Sequence, residues 1–330
     1  MRRRNFITLL GGAAVAWPVM ARAQQPTKIA RIGALITGSL TETRINIDPF
    51  RRGLTELGYR EGQNFILEAR GADGKIEQLP RLAKELVALK VDVIFAAATP
   101  AGRAAGDATT TIPIVVAAMG DPVSDGLVAS LARPGGNITG TTFLGPELVP
   151  KRLTILKQLL PGVSRVAVLW HSTAFSDRTN ADMLKETRDA GANLNIKLEF
   201  VDVRSRDDLE RAFSTIAGKG AEALLPLPSP MLFFERKRIV ELAAKNRLPA
   251  MFNSREFVEL GGLITYGVNL AELNRQSAIY VDKILKGAKP SDLPVEQPTK
   301  FELLINQKTA KSLGINVPLL LQQLADEVID

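Results

Sequence analysis

Val91-Asp-Val-Ile-Phe-Ala-Ala-Ala-Thr-Pro100 is an apolar run of strand length that leads directly into a Thr-Pro pair. Because proline has no N–H group to lose in the first turn of a helix, this stretch predicts a strand followed at once by a helix. The pattern recurs at Ala221–Pro230, and further matched pairs, such as Arg31 with Arg165, lie 130 to 136 positions apart. A near-constant offset indicates that the chain builds one α/β unit twice. Two such units predict a cleft between them, where small ligands bind.

The predicted elements alternate between strand and helix along the chain, as in an α/β protein. We expect two α/β lobes with parallel sheets, joined by a hinge of several short crossings, because no low-complexity linker separates them. The predicted helices include one at about Asp125–Ala132 and one at Met231–Lys245. The expected boundaries are 24–143 with 269–298 for lobe I, and 144–268 with 299–330 for lobe II.

The composition is that of an ordinary folded protein, with 45% hydrophobic and 23% charged residues among 330. The absence of cysteine excludes disulfides, cysteine metal sites and a cysteine nucleophile. The formal charge is +7, but four of the basic residues lie in the first 23 positions. The remaining basic residues are scattered along the chain, so the sequence predicts no nucleic-acid partner.

The first 23 residues are predicted to be a signal peptide. Arg3 and Arg4 precede a short apolar run, and Ala21-Arg22-Ala23 offers a small-x-small cleavage pattern. The run is too short to span a membrane, and the arginine pair resembles the twin-arginine export signal, with general secretion as the other route. An amphipathic N-terminal helix is the alternative, although the run has no polar face. We therefore expect a soluble, periplasmic protein that is not embedded in the membrane.

Several motifs resemble the substrate-binding-protein family of ABC importers, whose better-understood members are receptors of the tryptophan and aromatic-amino-acid type. The resemblance rests on the long runs Leu127–Gly140 and Tyr280–Leu303 and on shorter motifs such as Gly120-Asp-Pro-Val, and it covers essentially the whole mature chain. It implies a type I periplasmic-binding-protein fold, with two Rossmann-like lobes joined by a multi-crossing hinge of three crossings. It also implies a small-molecule ligand between the lobes, an ABC permease with its ATPase as partner, and no cofactor. The ligand stays open between an aromatic or branched amino acid and a small carboxylate.

In doubly wound sheets, ligands bind outside the carboxyl ends of the strands. The residues predicted at these ends are Thr37, Gly38, Ser39, Thr99, Pro100, Gly120 and Asp121 in the first lobe, with His171, Ser229 and Asn253 in the second and Tyr266 at a crossing. Thr99 and Ser229 each precede a proline, so either could cap a helix and present donors to a carboxylate. Plain capping without a ligand is the alternative for both.

The other predicted site residues also have two interpretations. Asp121 could pair with a ligand amine or simply close an Asp-Pro turn, and Gly120 could allow close approach of a ligand or serve the same turn. Tyr266 could stack on a ligand or pack at the hinge. His171 could hydrogen-bond a ligand, although a surface imidazole is the commoner arrangement. Phe233 and its neighbour Phe234 are predicted to be core.

An enzyme is the rival interpretation, as a secreted hydrolase or transferase on the same two-lobe fold. The sequence has no dinucleotide fingerprint, no P-loop and no nucleophile elbow, and its single histidine gives no metal-ligand spacing. Asp121 is the one candidate acid at the predicted strand ends, where an enzyme would need a base–nucleophile pair or two carboxylates. A sugar-sensing transcription regulator shares the fold, but no helix-turn-helix segment precedes Lys28. The sequence therefore predicts a receptor rather than an enzyme, with no catalytic residues.

Overall fold

The computed structural model describes residues 29–42 and 44–330. The predicted signal peptide, residues 1–23, lies outside the described residues. Among the described residues, no helix combines the length and the apolar character that crossing a membrane requires.

Five parallel strands form the first sheet, in the order β2-β1-β3-β4-β5. Strands β1 to β5 are Ala30–Ile36, Phe65–Gly71, Val93–Ala97, Ile114–Met119 and Ile138–Thr142. Helices α1 to α3 are Ile47–Glu56, Leu79–Ala88 and Thr99–Ala108. Every residue of β3 is buried, as expected for a central parallel strand covered by helices on both faces. The body built around this sheet is called lobe I.

The second sheet belongs to lobe II and has two segments, with strand orders β7-β6-β8 and β9-β10-β11-β12. A parallel bridge between Leu224 and Ala250 joins the two segments. Its strands β6 to β12 are Arg165–Trp170, Lys197–Asp202, Ala223–Pro226, Met251–Phe252, Ile264–Gly267, Glu302–Asn306 and Glu327–Ile329. Helices α4 to α9 are Val149–Leu159, Asp177–Asn193, Asp208–Gly218, Pro230–Phe234, Arg236–Lys245 and Arg255–Glu259. Helices α10 to α12 are Leu270–Leu285, Gln307–Leu313 and Leu319–Leu324.

The two sheets repeat one topology. Lobe I runs β2-β1-β3-β4 and lobe II runs β7-β6-β8-β9, so equivalent strands occupy equivalent places. The α/β fold with two parallel-sheet lobes, predicted from the constant offset, is therefore confirmed. Pairing becomes antiparallel between β10 and β11, after the repeated part has ended.

Helix α10 follows the strands of lobe II but packs on lobe I. It lies against α1, where a Cβ atom on Gly53 would come within 2.3 Å of the Arg275 carbonyl oxygen. Farther along, the Glu296 N–H group donates to the Gly140 carbonyl at 3.0 Å, and Thr142 N–H donates to the Glu296 carbonyl at 2.9 Å. The chain then enters β11 in lobe II. The chain therefore passes between the lobes twice in this region, once between β10 and α10 and again before β11.

Two predicted helices differ from the structure. The stretch Asp125–Ala132 forms successive turns, in which the Pro122 carbonyl accepts from two main-chain N–H groups and Ser130 exchanges hydrogen bonds with Arg133. Such local bonds compete with a helical ladder. The single helix predicted at Met231–Lys245 is two helices, α7 and α8, which meet at Glu235.

Candidate functional site

A cavity that is partly open to solvent lies between the lobes at the carboxyl ends of β3 and β4. Its apolar walls include alanines at the strand ends and the side chains of Phe143, Phe175 and Phe233. Its polar lining residues are Thr37, Asn46, Ser229, Asn253, Ser254 and Asn274. Among the residues that the structure describes, no Asp, Glu, Lys, Arg or His lines it. The cavity therefore suits a small ligand with an apolar body and a few polar groups.

The main chain at the mouths of β3 and β4 is held in an unusual conformation. Ala98 has φ 72° and ψ 161°, and Ala118 has φ 57°, although neither is glycine. Hydrogen bonds fix both: Ala98 N–H donates to the Ala117 carbonyl at 2.9 Å, and Ala118 N–H donates to Thr141 Oγ1 at 3.2 Å. Such strain costs on the order of 1–3 kcal/mol per residue and concentrates at functional sites. Both alanines line the cavity, which agrees with a ligand site there.

Three of the predicted site residues line this cavity: Thr37, Ser229 and Asn253. Gly38 and Ser39 belong to the next turn, where the Gly38 carbonyl accepts from Asp73 N–H and Ser39 Oγ bonds with Thr41 Oγ1. Neither they nor Pro100, which lies in the first turn of α3, is among the lining residues. Reasoning from strand ends thus selected only some of the residues that line this cavity.

Thr99 does not cap α3, contrary to expectation. The helix begins at Thr99 itself, after Ala98, and its hydroxyl accepts from Gly120 N–H at 2.9 Å. The side chain is buried and links the ends of β3 and β4, and Thr99 is not among the residues that line the cavity. Ser229 caps its helix, as predicted: its hydroxyl accepts a hydrogen bond from Leu232 N–H at the start of α7.

Asp121 is engaged in its own turn. One carboxylate oxygen accepts from Val123 N–H at 3.1 Å and from Ser124 N–H at 2.9 Å, the pattern of an Asx turn. The neighbouring Gly120 faces the ring of Phe175, which would lie 3.1 Å from a Cβ atom placed on it. Neither residue lines the cavity, and the geometry matches the turn interpretation.

Tyr266 lies on β10 rather than in the cleft. Its ring packs against Phe301 with the two centroids 6.0 Å apart, and its carbonyl oxygen accepts from Arg152 Nε at 2.7 Å. Arg152 is almost completely buried behind this strand. The contacts are those of hinge packing, the second of the two interpretations.

His171 is buried, so the prediction of a surface imidazole is wrong. Its side chain is 4% exposed, with Nδ1 3.0 Å from Ser229 Oγ and Nε2 2.9 Å from Thr173 Oγ1. The imidazole therefore supports Ser229 from behind, while Ser229 itself lines the cavity. Burial lowers the pKa of His171 below its ordinary value, although the charge of Asp202 acts in the opposite direction.

This lowered pKa predicts a loss of stability in acid. The unfolded chain recovers the ordinary imidazole pKa of about 6.5 and binds more protons than the folded protein as the pH falls through that value. The free energy of unfolding contributed by His171 should therefore decrease below about pH 6.5, by at most about 1.4 kcal/mol per pH unit. Urea denaturation at about pH 7.5 and about pH 5.5 measures it. His171→Asn leaves no histidine in the chain, and an equal acid loss in that variant would contradict the assignment.

Sequence reasoning missed several lining residues. Phe233 was expected in the core, but it lines the cavity while one edge packs on lobe II. Phe175 lies five positions past the strand end at Trp170, and Asn274 lies on α10, far along the chain from the other lobe I walls. A polar residue in the first turns of the helix that follows β10 was the only available signal for Asn274.

Contacts between the lobes close both sides of the cavity. On one side, Arg236 of α8 pairs with Glu42 after β1, and Phe234 packs over Gly74. On the other side, Asp125 Oδ1 accepts from Ser176 N–H at 3.2 Å and from Thr179 Oγ1 at 2.8 Å. Asp125 follows β4 in lobe I, whereas the other two residues begin α5 in lobe II. The lobes are therefore in contact around the cleft, as in a closed receptor.

The chain is similar to several proteins of known kind. It is 29% identical over 268 residues to a tyrosine-binding protein of Clostridioides difficile strain R20291, covering 81% of this chain and 75% of the relative. An ABC domain from Streptococcus pneumonia in complex with L-Trp superposes with a TM-score of 0.83, at 26% identity over 91% of this chain and 99% of that one. The ligand-free, open structure of an adhesive substrate binding protein from Clostridium difficile gives 0.66, at 25% identity and the same coverages. The higher score against the ligand-bound structure agrees with the contacts around the cleft.

Two α/β lobes with parallel sheets and a ligand-sized cavity between them define the class of type I periplasmic binding proteins. The model of the family "ABC transporter substrate binding protein" matches residues 38–329. The chain belongs to this family, which consists of substrate-binding receptors rather than enzymes. The resemblance of the sequence motifs to the substrate-binding-protein family of ABC importers is therefore confirmed.

Proposed function

We propose that this receptor is exported, binds an aromatic amino acid between its lobes, and delivers it to the permease and ATPase of an ABC importer. The observation that carries the proposal is the cavity between the lobes, whose walls include three phenylalanine rings and no charged side chain among the described residues. Aromatic side chains provide a large apolar surface for a ring-bearing ligand. The two relatives with aromatic amino acids in their names support the same ligand class.

The polar groups of the cavity fit the carboxylate of an amino acid. Ser229 and Asn253, both in lobe II, carry side chains able to donate hydrogen bonds to it. A carboxylate of the ligand would therefore be stabilised here without an arginine. A small carboxylate that lacks the amine is the second candidate, supported by the same two side chains.

Binding is tested by calorimetry and thermal unfolding with L-Trp, L-Tyr, L-Phe and their deaminated analogues. We expect saturable binding of at least one aromatic amino acid. At a hundredfold excess over its Kd, that ligand should raise the free energy of unfolding by about 2.7 kcal/mol. Deaminated analogues that bind as tightly would favour the small-carboxylate candidate. No heat and no stabilisation with any of these compounds would contradict the proposed ligand class.

The enzyme alternative finds no support in the lining. No carboxylate or histidine is among the described lining residues, and the imidazole of His171 is held between Ser229 and Thr173. A hydrolase or transferase would need an acid–base pair aimed at the ligand. We therefore propose that the protein has no catalytic role.

Export and domain boundaries complete the proposal. The packing of α10 on α1, and the pairing of Glu296 with Gly140, support residues 24–143 with 269–298 as lobe I and the remainder of the mature chain as lobe II.

We propose a periplasmic location after cleavage behind Ala23 by the twin-arginine route. Arg3→Lys combined with Arg4→Lys should leave precursor in the cytoplasm, measured by fractionation and immunoblotting. Normal periplasmic amounts of the double variant would rule out the twin-arginine route.

A further inference from the structure

Asn274 has a buried oxygen atom without a hydrogen-bond partner among the described residues. The residue lies in the first turns of α10, its side chain is 3% exposed, and it lines the cavity. Its amide nitrogen is fully engaged, whereas Oδ1 accepts no hydrogen bond. An unpaired buried acceptor is unfavourable by about 1–3 kcal/mol. A donor for this oxygen would have to come from outside the described residues, and the cavity that Asn274 lines is where such a group can lie.

The orientation of the Asn274 amide follows from its neighbours. Nδ2 is 3.0 Å from the Ile45 carbonyl oxygen, 2.8 Å from the Leu270 carbonyl oxygen and 3.2 Å from Asn46 Oδ1. Main-chain carbonyls can only accept, so the nitrogen must face them and the oxygen must face away from them. A flipped amide would place its oxygen against these carbonyl oxygens and lose the hydrogen bonds that its nitrogen now donates.

The electrostatic surroundings of Asn274 decide which donor it would take. The residue lies beside the starts of α1 and α10, where the helix dipoles carry partial positive charge, and the described lining contains no carboxylate. At this position an ammonium group would be repelled by those helix starts, so the ligand's own ammonium must lie elsewhere in the cavity. A neutral N–H or O–H group is not repelled there. The preferred partner of Asn274 Oδ1 is therefore an uncharged donor attached to an apolar group.

We propose that Asn274 is a specificity-determining residue, whose Oδ1 accepts the ring donor of an aromatic amino acid: the indole N–H of tryptophan or the phenol O–H of tyrosine. This inference rests on the proposed function and goes beyond it, because it separates rings that carry a donor from those that carry none. A site built to hydrogen-bond a ligand hydroxyl or N–H group rejects the analogue that lacks it, since the protein acceptor is then left unpaired. Phenylalanine should accordingly bind more weakly than tyrosine or tryptophan.

The wild-type protein provides the first test, by calorimetry with L-Tyr, L-Trp, L-Phe and O-methyl-L-tyrosine. We expect L-Tyr or L-Trp to bind about ten- to a hundredfold more tightly than L-Phe. O-methyl-L-tyrosine keeps the ring oxygen but has no O–H donor, so it should fall to the level of L-Phe or below. Equal affinity for L-Tyr, L-Trp and L-Phe would overturn the role of Asn274 while leaving an aromatic-amino-acid receptor in place. Binding of none of them would overturn the proposed function itself.

Two variants assign the preference to Asn274. Asn274→Leu removes the acceptor and should abolish the preference for a ring donor while retaining affinity for L-Phe. Asn274→Asp keeps an acceptor oxygen and should preserve the preference, even if losing the nitrogen contacts lowers stability. Asn253→Ala, which removes another lining amide, should change the affinities for L-Tyr and L-Phe by the same factor. A preference that survives in Asn274→Leu would overturn the proposal, and the wild-type ligand series decides it if that variant fails to fold.

Discussion

Gly267→Ala should destabilise the protein by about 3 kcal/mol or more, the upper end for inserting a methyl group into packed surroundings. Gly267 ends β10 and pairs with Glu302 of β11. A Cβ atom there would lie 1.9 Å from the Asn253 carbonyl oxygen, far inside van der Waals contact. Because the clashing atom belongs to the main chain, no side-chain rotation can relieve it. The strand must shift relative to the loop that follows β9.

The shift should also impair ligand binding, since Asn253 and Val268 both line the cavity. Urea denaturation gives the loss of stability, and calorimetry with the bound amino acid gives the loss of affinity. Gly218→Ala is a matched control, because a Cβ atom there has nothing within 4 Å and the residue ends helix α6. That variant should be neutral or more stable by up to about 1 kcal/mol, from the higher helix propensity of alanine. Equal losses of stability in the two variants would show that the clash with the Asn253 carbonyl oxygen does not cause the destabilisation.

The fold was predictable because its signals are local and repeated. Apolar runs such as Val93–Ala97 are bounded by turn residues, and their equivalents recur at a nearly constant offset, which indicates two lobes of the same topology. The stretch Asp125–Ala132 was mispredicted because its helical spacing is overridden by bonds to the Pro122 carbonyl and by the Ser130 hydroxyl. Propensity is a weak guide where such local bonds are available.

The site was less predictable because its walls come from distant parts of the chain. Ser229 and Asn253 follow strand ends, so topology alone brings them to the cleft. Asn274 reaches the cavity because α10 returns to lobe I, where its amide bonds to Ile45 across a separation of 229 residues. Asp121 and Thr99 lie at strand ends too, but the side chain of each already accepts a hydrogen bond from a nearby main-chain N–H group. Which strand-end side chains stay free for a ligand depends on such bonds, which no spacing rule shows.

Asp125→Ala should weaken ligand binding by about ten- to a hundredfold without altering any ligand contact, because Asp125 joins the lobes and does not line the cavity. Its carboxylate accepts from Ser176 N–H and Thr179 Oγ1 at the start of α5, where a negative charge is favoured. These bonds cannot form when the lobes separate. The free energy of closing is part of the free energy of binding, so a less stable closed state lowers the apparent affinity.

Calorimetry measures the affinity, and small-angle X-ray scattering of the free and liganded protein reports whether the lobes still close. Arg44→Ala is the control, since Arg44 also joins the lobes, through Glu259 at 3.2 Å, but its side chain is 80% exposed. An exposed ion pair contributes about 0–1 kcal/mol, so that variant should bind nearly as tightly as the wild type. Asp125→Ala with wild-type affinity would rule out a stabilising role for Asp125 in closure.

A double-mutant cycle with Thr179→Val locates the effect at the contact between the lobes. If Asp125 stabilises closure through Thr179, the double variant should bind about as weakly as Asp125→Ala alone, because the second change removes a bond that is already lost. If each substitution acts inside its own lobe, the two losses should add. A buried charge–hydroxyl bond contributes roughly 1.5–3 kcal/mol, so a coupling energy of about 1 kcal/mol or more is expected. Additive losses would mean that Asp125 does not act through Thr179, and its bond to Ser176 N–H would then be its remaining contact with lobe II.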